Sequence, residues 1–122
     1  MKTILVVEDD PSLLDLLRTL LEINGYEVLT ATDGIEAVEL FREHASRISL
    51  VISDLGLPRL GGWEAFQQMK ALKPSVKALL ASGYFEASLR EDALRMGAID
   101  FVQKPYRPPE IIKRIDSILS SP

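Results

Sequence analysis

Four acids stand at abrupt ends of apolar runs. Glu8-Asp9-Asp10 follows Ile4–Val7, and Asp54 follows Leu50–Ser53. A hydroxyl, Ser82, closes the run Val76–Ala81, and an ammonium, Lys104, closes Ile99–Val102 two residues on. Two unit charges ~4 Å apart repel by roughly 4 kcal/mol at an effective dielectric of 20. Clustered acids therefore splay into water or share something positive. With no cysteine and one histidine in the chain, carboxylates from two segments suit a hard cation with oxygen ligands. Mg²⁺ fits best, because it takes one or two carboxylates, keeps waters and accepts phosphate oxygens. A carboxylate is also a nucleophile able to form an aspartyl phosphate. Phosphoryl transfer needs alignment and charge neutralisation, which a metal, Lys104 and Ser82 would supply together.

The elements that must position these groups alternate. Ile4–Val7 reads as a strand buried on both faces, since it is continuous rather than alternating. Asp10-Pro11 reads as a helix N-cap with proline in the first turn. Leu13, Leu14, Leu16, Leu17, Leu20 and Leu21 follow at helical spacing, and Asn24-Gly25 stops the helix. Tyr26–Ala31 is a second strand. Asp33-Gly34-Ile35-Glu36 opens a second helix with a capping-box pattern. Leu50–Ser53 is a third strand. A Gly/Pro loop then leads into a helix carrying Trp63, Phe66, Met69 and Leu72, broken at Pro74. Val76–Ala81, a helix over Glu86 to Met96, the strand Ile99–Val102 and a last helix striped by Ile111, Ile112, Ile115, Ile118 and Leu119 complete the chain.

Five strand–helix alternations predict an α/β fold with a parallel sheet covered by helices on both faces. Right-handed crossovers deliver every strand's C-terminal end to one edge, where open α/β sheets bind ligands. Glu8, Asp9, Asp54, Ser82 and Lys104 are all expected on that edge.

At 122 residues the chain is one domain, residues 1–122. Lysine and arginine number 14 against 18 acids, a net charge of −4, which argues against direct nucleic-acid contact driven by phosphates. Disulfides are excluded, no apolar run approaches the ~20 residues of a membrane span, and the N-terminus is no signal peptide. A cytoplasmic protein is the simplest reading. P-loop, GxGxxG, GxSxG and HExxH motifs are absent, which disfavours an independent enzyme. Acids on the binding edge disfavour a flavin phosphate.

VVEDDP, SDLGLP, ASGY and FVQKPY, in this order and at these intervals, resemble the receiver domain of bacterial two-component response regulators, the CheY-like family. The resemblance covers essentially the whole chain. It implies a flavodoxin-like (βα)5 three-layer sandwich with a five-stranded parallel sheet in the order 2-1-3-4-5. It implies Mg²⁺-dependent phosphoryl transfer from the phosphohistidine of a partner histidine kinase or phosphotransfer protein to Asp54. Asp9, Asp54 and the Gly56 carbonyl would ligate Mg²⁺, with Glu8 acting mostly through water. Ser82 matches the hydroxyl that swings toward the phosphoryl group, Lys104 the lysine that pairs with it, and Phe101 an aromatic switch residue. The surface around the fourth helix, fifth strand and last helix would change, and a homodimer through the last helix is compatible with it. The resemblance also implies a domain that catalyses its own phosphorylation and dephosphorylation, with no independent substrate turnover expected.

Departures are small: Glu8 for the usual aspartate, Leu57-Pro58 for Met-Pro, and Gly61-Gly62 for Asp-Gly. Ser82-Gly83-Tyr84 and Gln103-Lys104-Pro105-Tyr106 look most like receivers fused to, or serving, hybrid histidine kinases. Gly56 and Tyr84 occupy the positions flanking the attacking water in the family, which predicts slow self-dephosphorylation. A blander reading stands beside each assignment. Asp10 is better explained as a cap than a ligand and Phe101 as core than as a switch. Taken singly, Glu8 reads equally as a solvated acid, Asp54 and Lys104 as turn residues and Ser82 as a loop opening, but beside Asp9, Ser82 and Lys104 the turn reading of Asp54 falls away. A receiver-like interaction module without phosphotransfer is the alternative function, and the joint presence of Glu8, Asp9, Asp54, Ser82 and Lys104 speaks against it.

Overall fold

The computed structural model describes residues 2–54, 61–82, 95, 100–103 and 107–120; the side chains of residues 82, 100, 101 and 103 lie outside the description. The strands are β1 (Thr3–Val7), β2 (Glu27–Ala31), β3 (Ile48–Asp54), β4 (Ala78–Ser82) and β5 (Asp100–Gln103). They form one parallel sheet in the order β2-β1-β3-β4-β5, the flavodoxin-like winding. Between them run α1 (Pro11–Ile23), α2 (Gly34–His44) and α3 (Gly62–Leu72), and a C-terminal helix spans Pro108–Ser120. The helix expected over Glu86 to Met96 lies outside the described residues, apart from Arg95, which is helical.

Helix boundaries follow local chemistry. The Asp10 carboxylate caps α1 by accepting from the N–H groups of Ser12 at 3.0 Å and Leu13 at 3.4 Å. That helix ends at Asn24, and Gly25 takes φ +91, a left-handed conformation that favours glycine. Asp33 caps α2 by accepting the Glu36 N–H at 2.8 Å. At α3 the cap is Gly61, which has no side chain to offer.

The core lies in two layers, one on each sheet face. Ile4 and Val6 of β1, Leu50 and Ile52 of β3, and Leu79 of β4 face Leu17 and Leu21 of α1 and Ile111, Ile115 and Leu119 of the C-terminal helix. Leu5 and Val7, Val51, and Ala78 and Leu80 face Ala37, Val38 and Phe41 of α2 and Ala65, Phe66 and Met69 of α3. Alternating faces, both buried, explain why these strands read as continuous apolar runs. Trp63 packs against the second layer with its ring centroid 6.1 Å from that of Phe66, as expected of helix-packing residues.

Among the strand boundaries that differ from expectation, the starts of β2, β3 and β4 are instructive. Pairing in β3 starts at Ile48, and Thr3 opposes Ile48 while Ile4 opposes Leu50, so Ser49 is an extra residue in β3. β4 starts at Ala78 rather than Val76, because the Val76 N–H closes a turn onto the Lys73 carbonyl at 2.9 Å. β2 begins at Glu27; Tyr26 precedes it, and its hydroxyl donates to Asp116 on the C-terminal helix at 2.5 Å. Among the described residues no helix is long and apolar enough to cross a membrane.

Candidate metal and phosphoacceptor site

The three consecutive acids at the end of β1 have three different fates. The Glu8 N–H donates to the Ala31 carbonyl at 3.0 Å, extending the β1–β2 ladder one step past Val7. The Glu8 carboxylate folds back and accepts the Asp10 N–H at 3.0 Å, and the residue is only 2 % exposed. Asp9 stays exposed, and Asp10 turns away to cap α1. The expectation that Asp10 is a cap therefore holds. The reading of Glu8 as a solvated acid does not: the side chain is buried at the strand end.

Asp54 is the last residue of β3 and is 5 % exposed. Val7 pairs with Ser53, so the step beyond brings the acids of β1 level with Asp54. One carboxylate oxygen from each of Glu8, Asp9 and Asp54 lies within 4.8 Å of the other two. Two nearly buried carboxylates and a third at the mouth make an oxygen-only donor set of concentrated negative charge. Burying such charge is costly unless a cation or hydrogen bonds compensate it. The donors thus fit a hard divalent ion such as Mg²⁺, which prefers carboxylates and water.

The rest of the edge is set by register. Asp54 pairs with Ala81, Ala81 with Val102, and Ser82 with Gln103, so Ser82 ends the strand next to Asp54 and Lys104 directly follows the last residue of β5. Phe101 pairs with Leu80 within the sheet. Gly56, Tyr84 and Lys104, and the side chains of Ser82 and Phe101, lie outside the described residues. His44 sits at the far end of α2 beside Glu43, at 3.7 Å, away from the acids. One contact was not foreseen from sequence, the bond from the Asp10 N–H that holds Glu8 in place. Its only signal was that the two residues stand two positions apart in the acidic run.

Comparison with known proteins gives a consistent result. A family model described as the response regulator receiver domain matches residues 4–116. The chain is 36 % identical over 118 residues to the alkaline phosphatase synthesis transcriptional regulatory protein PhoP of Bacillus subtilis, covering 97 % of this chain and 48 % of that protein. It is 38 % identical over 117 residues to the probable transcriptional regulator ycf27 of Porphyridium aerugineum, covering 95 % and 47 %. The chain thus spans about half the length of the curated relatives it matches. The non-phosphorylated HemR receiver domain of Leptospira biflexa superposes with a TM-score of 0.92 at 30 % identity, covering 100 % of this chain and 97 % of that one. The response regulator protein TrrA of Thermotoga maritima, solved in complex with Mg²⁺ and a beryllium fluoride, superposes at 0.81 with 31 % identity, covering 97 % and 99 %. By sequence and by fold, this chain belongs to the response regulator receiver domain family.

Proposed function

We propose that the chain is a phosphoacceptor of two-component signalling, and that Asp54 takes a phosphoryl group from the phosphohistidine of a histidine kinase or a phosphotransfer protein. The convergence of the Glu8, Asp9 and Asp54 carboxylates within 4.8 Å of one another carries this reading. Mg²⁺ held by Asp9, Asp54 and the Gly56 carbonyl, with Glu8 behind them, would supply charge neutralisation for the transferring phosphoryl oxygens. An Asp54 carboxylate oxygen forms the new O–P bond as the donor's P–N bond breaks, and the electron pair returns to the imidazole. Burial of Asp54 limits water at the acceptor and keeps the attacking oxygen fixed at a strand end.

Ser82 and Lys104, which follow Asp54 around the same sheet edge, then make charge-assisted contacts to the phosphoryl oxygens. Those contacts favour a minor conformer in which Phe101 turns inward, and the surface of the fourth helix, fifth strand and C-terminal helix changes. The domain is the whole chain, 1–122, and the setting is cytoplasmic. Incubation with acetyl phosphate and Mg²⁺, followed by intact-protein mass spectrometry, tests the assignment. Wild type gains one labile phosphoryl group and Asp54→Asn gains none. Equal labelling of the variant at the wild-type rate refutes it.

A further inference from the structure

The edge of the sheet opposite the acids has the reverse charge. Lys2 precedes β1, Ser46 and Ser49 flank the start of β3, and Lys73, Ser75 and Lys77 belong to the connection from α3 into β4. These six residues, with Ile48 and Leu119 beneath, line an open groove of about 380 Å³. Among the described residues no acid lines it, although the chain carries a net charge of −4. None of the three lysines pairs with a carboxylate among the described residues. Two ammonium groups are fixed by backbone carbonyls, which orient them without cancelling their charge. Lys73 donates to Ala45 at 2.9 Å and to Ile48 at 3.1 Å, and Lys2 donates to Leu119. The extra residue of β3, Ser49, sits in the wall of the groove, so the irregularity in the sheet falls where the groove is.

We propose that this groove binds a small soluble ligand bearing linked phosphate groups. Ammonium and hydroxyl donors without a fixed plane suit tetrahedral oxyanions, whereas carboxylate recognition favours the flat fork of arginine, and among the described residues no arginine lines the groove. Its volume is in the range of small-ligand sites. A single-stranded nucleic acid would need aromatic platforms for its bases, and among the described residues no aromatic side chain lines the groove. A strand of five residues separates the two edges by roughly 16 Å, so the anion site and the acids do not compete for one ligand.

The test is a titration of the full ¹⁵N-labelled chain with sodium pyrophosphate in metal-free, low-salt buffer. Saturable shifts are expected at the amides of Ser46, Ser49, Ser75 and Lys77, with Glu8 to Asp10 and Asp54 unmoved. Lys77, whose ammonium has no hydrogen bond or ion pair among the described residues, provides the clean variant: Lys77→Gln weakens binding about fivefold or more and Lys77→Arg restores it. Shifts that do not saturate below about 10 mM overturn the proposal. So does an unchanged affinity in Lys77→Gln and Lys2→Gln, or tighter binding of a polyglutamate peptide than of pyrophosphate. A Mg²⁺ titration of the same sample reads the acidic edge separately, so the failure of one reading leaves the other standing.

Discussion

Replacing Asp9 by asparagine should make the metal-free protein more stable and remove most of its response to Mg²⁺. The carboxylates of Glu8, Asp9 and Asp54 lie within 4.8 Å of one another, a distance at which two unit charges repel by about 3.5 kcal/mol at a dielectric of 20 and about 0.9 kcal/mol in water. Asp9 is exposed, so the lower value applies. Glu8 and Asp9 are chain neighbours and repel in the unfolded state too; of the two pairs that Asp9 makes, only the one with Asp54 is created by folding. Asparagine keeps the shape and deletes that charge. Its expected effect is a gain of about 1 kcal/mol, or a rise in Tm of about 3–6 °C for a domain of this size.

Thermal unfolding followed by circular dichroism in metal-free, low-salt buffer measures the gain. Raising KCl to about 0.5 M contracts the Debye length to about 4 Å and should shrink the difference. With Mg²⁺ at ten times its Kd, wild type gains about 1.4 kcal/mol by linkage, while the variant, short of one anionic ligand, gains under half of that. The variant's advantage of about 1 kcal/mol therefore shrinks by about 0.7 kcal/mol or more on adding Mg²⁺. If Asp9→Asn is no more stable without metal, and Mg²⁺ raises both proteins equally, the shared-ion account of these carboxylates is wrong.

Three further outcomes follow from particular residues. Burial first, and then the bond to Asp116, raise the Tyr26 phenol from its usual 10.0 to about 12. The protonated phenol is the form that folding favours, so its contribution is complete below pH 10 and is lost as pH rises through 12; a phenolate absorbance titration of Tyr26→Phe should lack the latest-titrating tyrosine, and stability in the variant should be flatter over that window. Gly61→Ser should add about 0.5–1 kcal/mol to denaturant-measured stability: φ −66 and ψ 159 admit a side chain, serine caps α3, and the Glu64 carboxylate end standing 2.5 Å from the new Cβ is free to swing into solvent. Tyr84→Ala should shorten the lifetime of the phosphorylated protein, read by decay of the labile phosphoryl group, and an unchanged or slower decay refutes tyrosine as a shield for Asp54.

What was legible in the sequence was whatever local chemistry decides. Ile4–Val7 reads as a strand buried on both sides, and Asp10, Asn24-Gly25 and Asp33 are boundary signals whose hydrogen bonds need no distant partner. Asp9 and Asp54 were legible because each ends such a strand, and a parallel sheet leaves one edge for both. Features made by packing were hidden. Six leucines in α1 exceed what its buried stripe can take, so Leu16 is 45 % exposed. Glu8 differs from Asp9 in burial only because its own ladder bond and the Asp10 N–H fold it inward. The basic groove joins Lys2, Lys73 and Lys77 from opposite parts of the chain, and the bulge at Ser49 carries no glycine or proline to announce it.

The spacing of the acids is a consequence of the core. Residues of β1 and β3 alternate between the two apolar layers: Ile4, Val6, Leu50 and Ile52 in one, Leu5, Val7 and Val51 in the other. A slip of β3 by one residue would send each of its side chains to the wrong layer. The same slip would carry Asp54 about 3.3 Å along the strand and turn its carboxylate to the opposite face, which is enough to dissolve a cluster only 4.8 Å across. The apolar surface buried by these two central strands therefore holds the carboxylates together against their own repulsion. The one irregularity in their pairing, at Ser49, comes before Leu50. From Ile4 opposite Leu50 to Val7 opposite Ser53 the register runs unbroken, so the bulge is confined to the far edge and the acids stand at the end of an unbroken stretch of pairing.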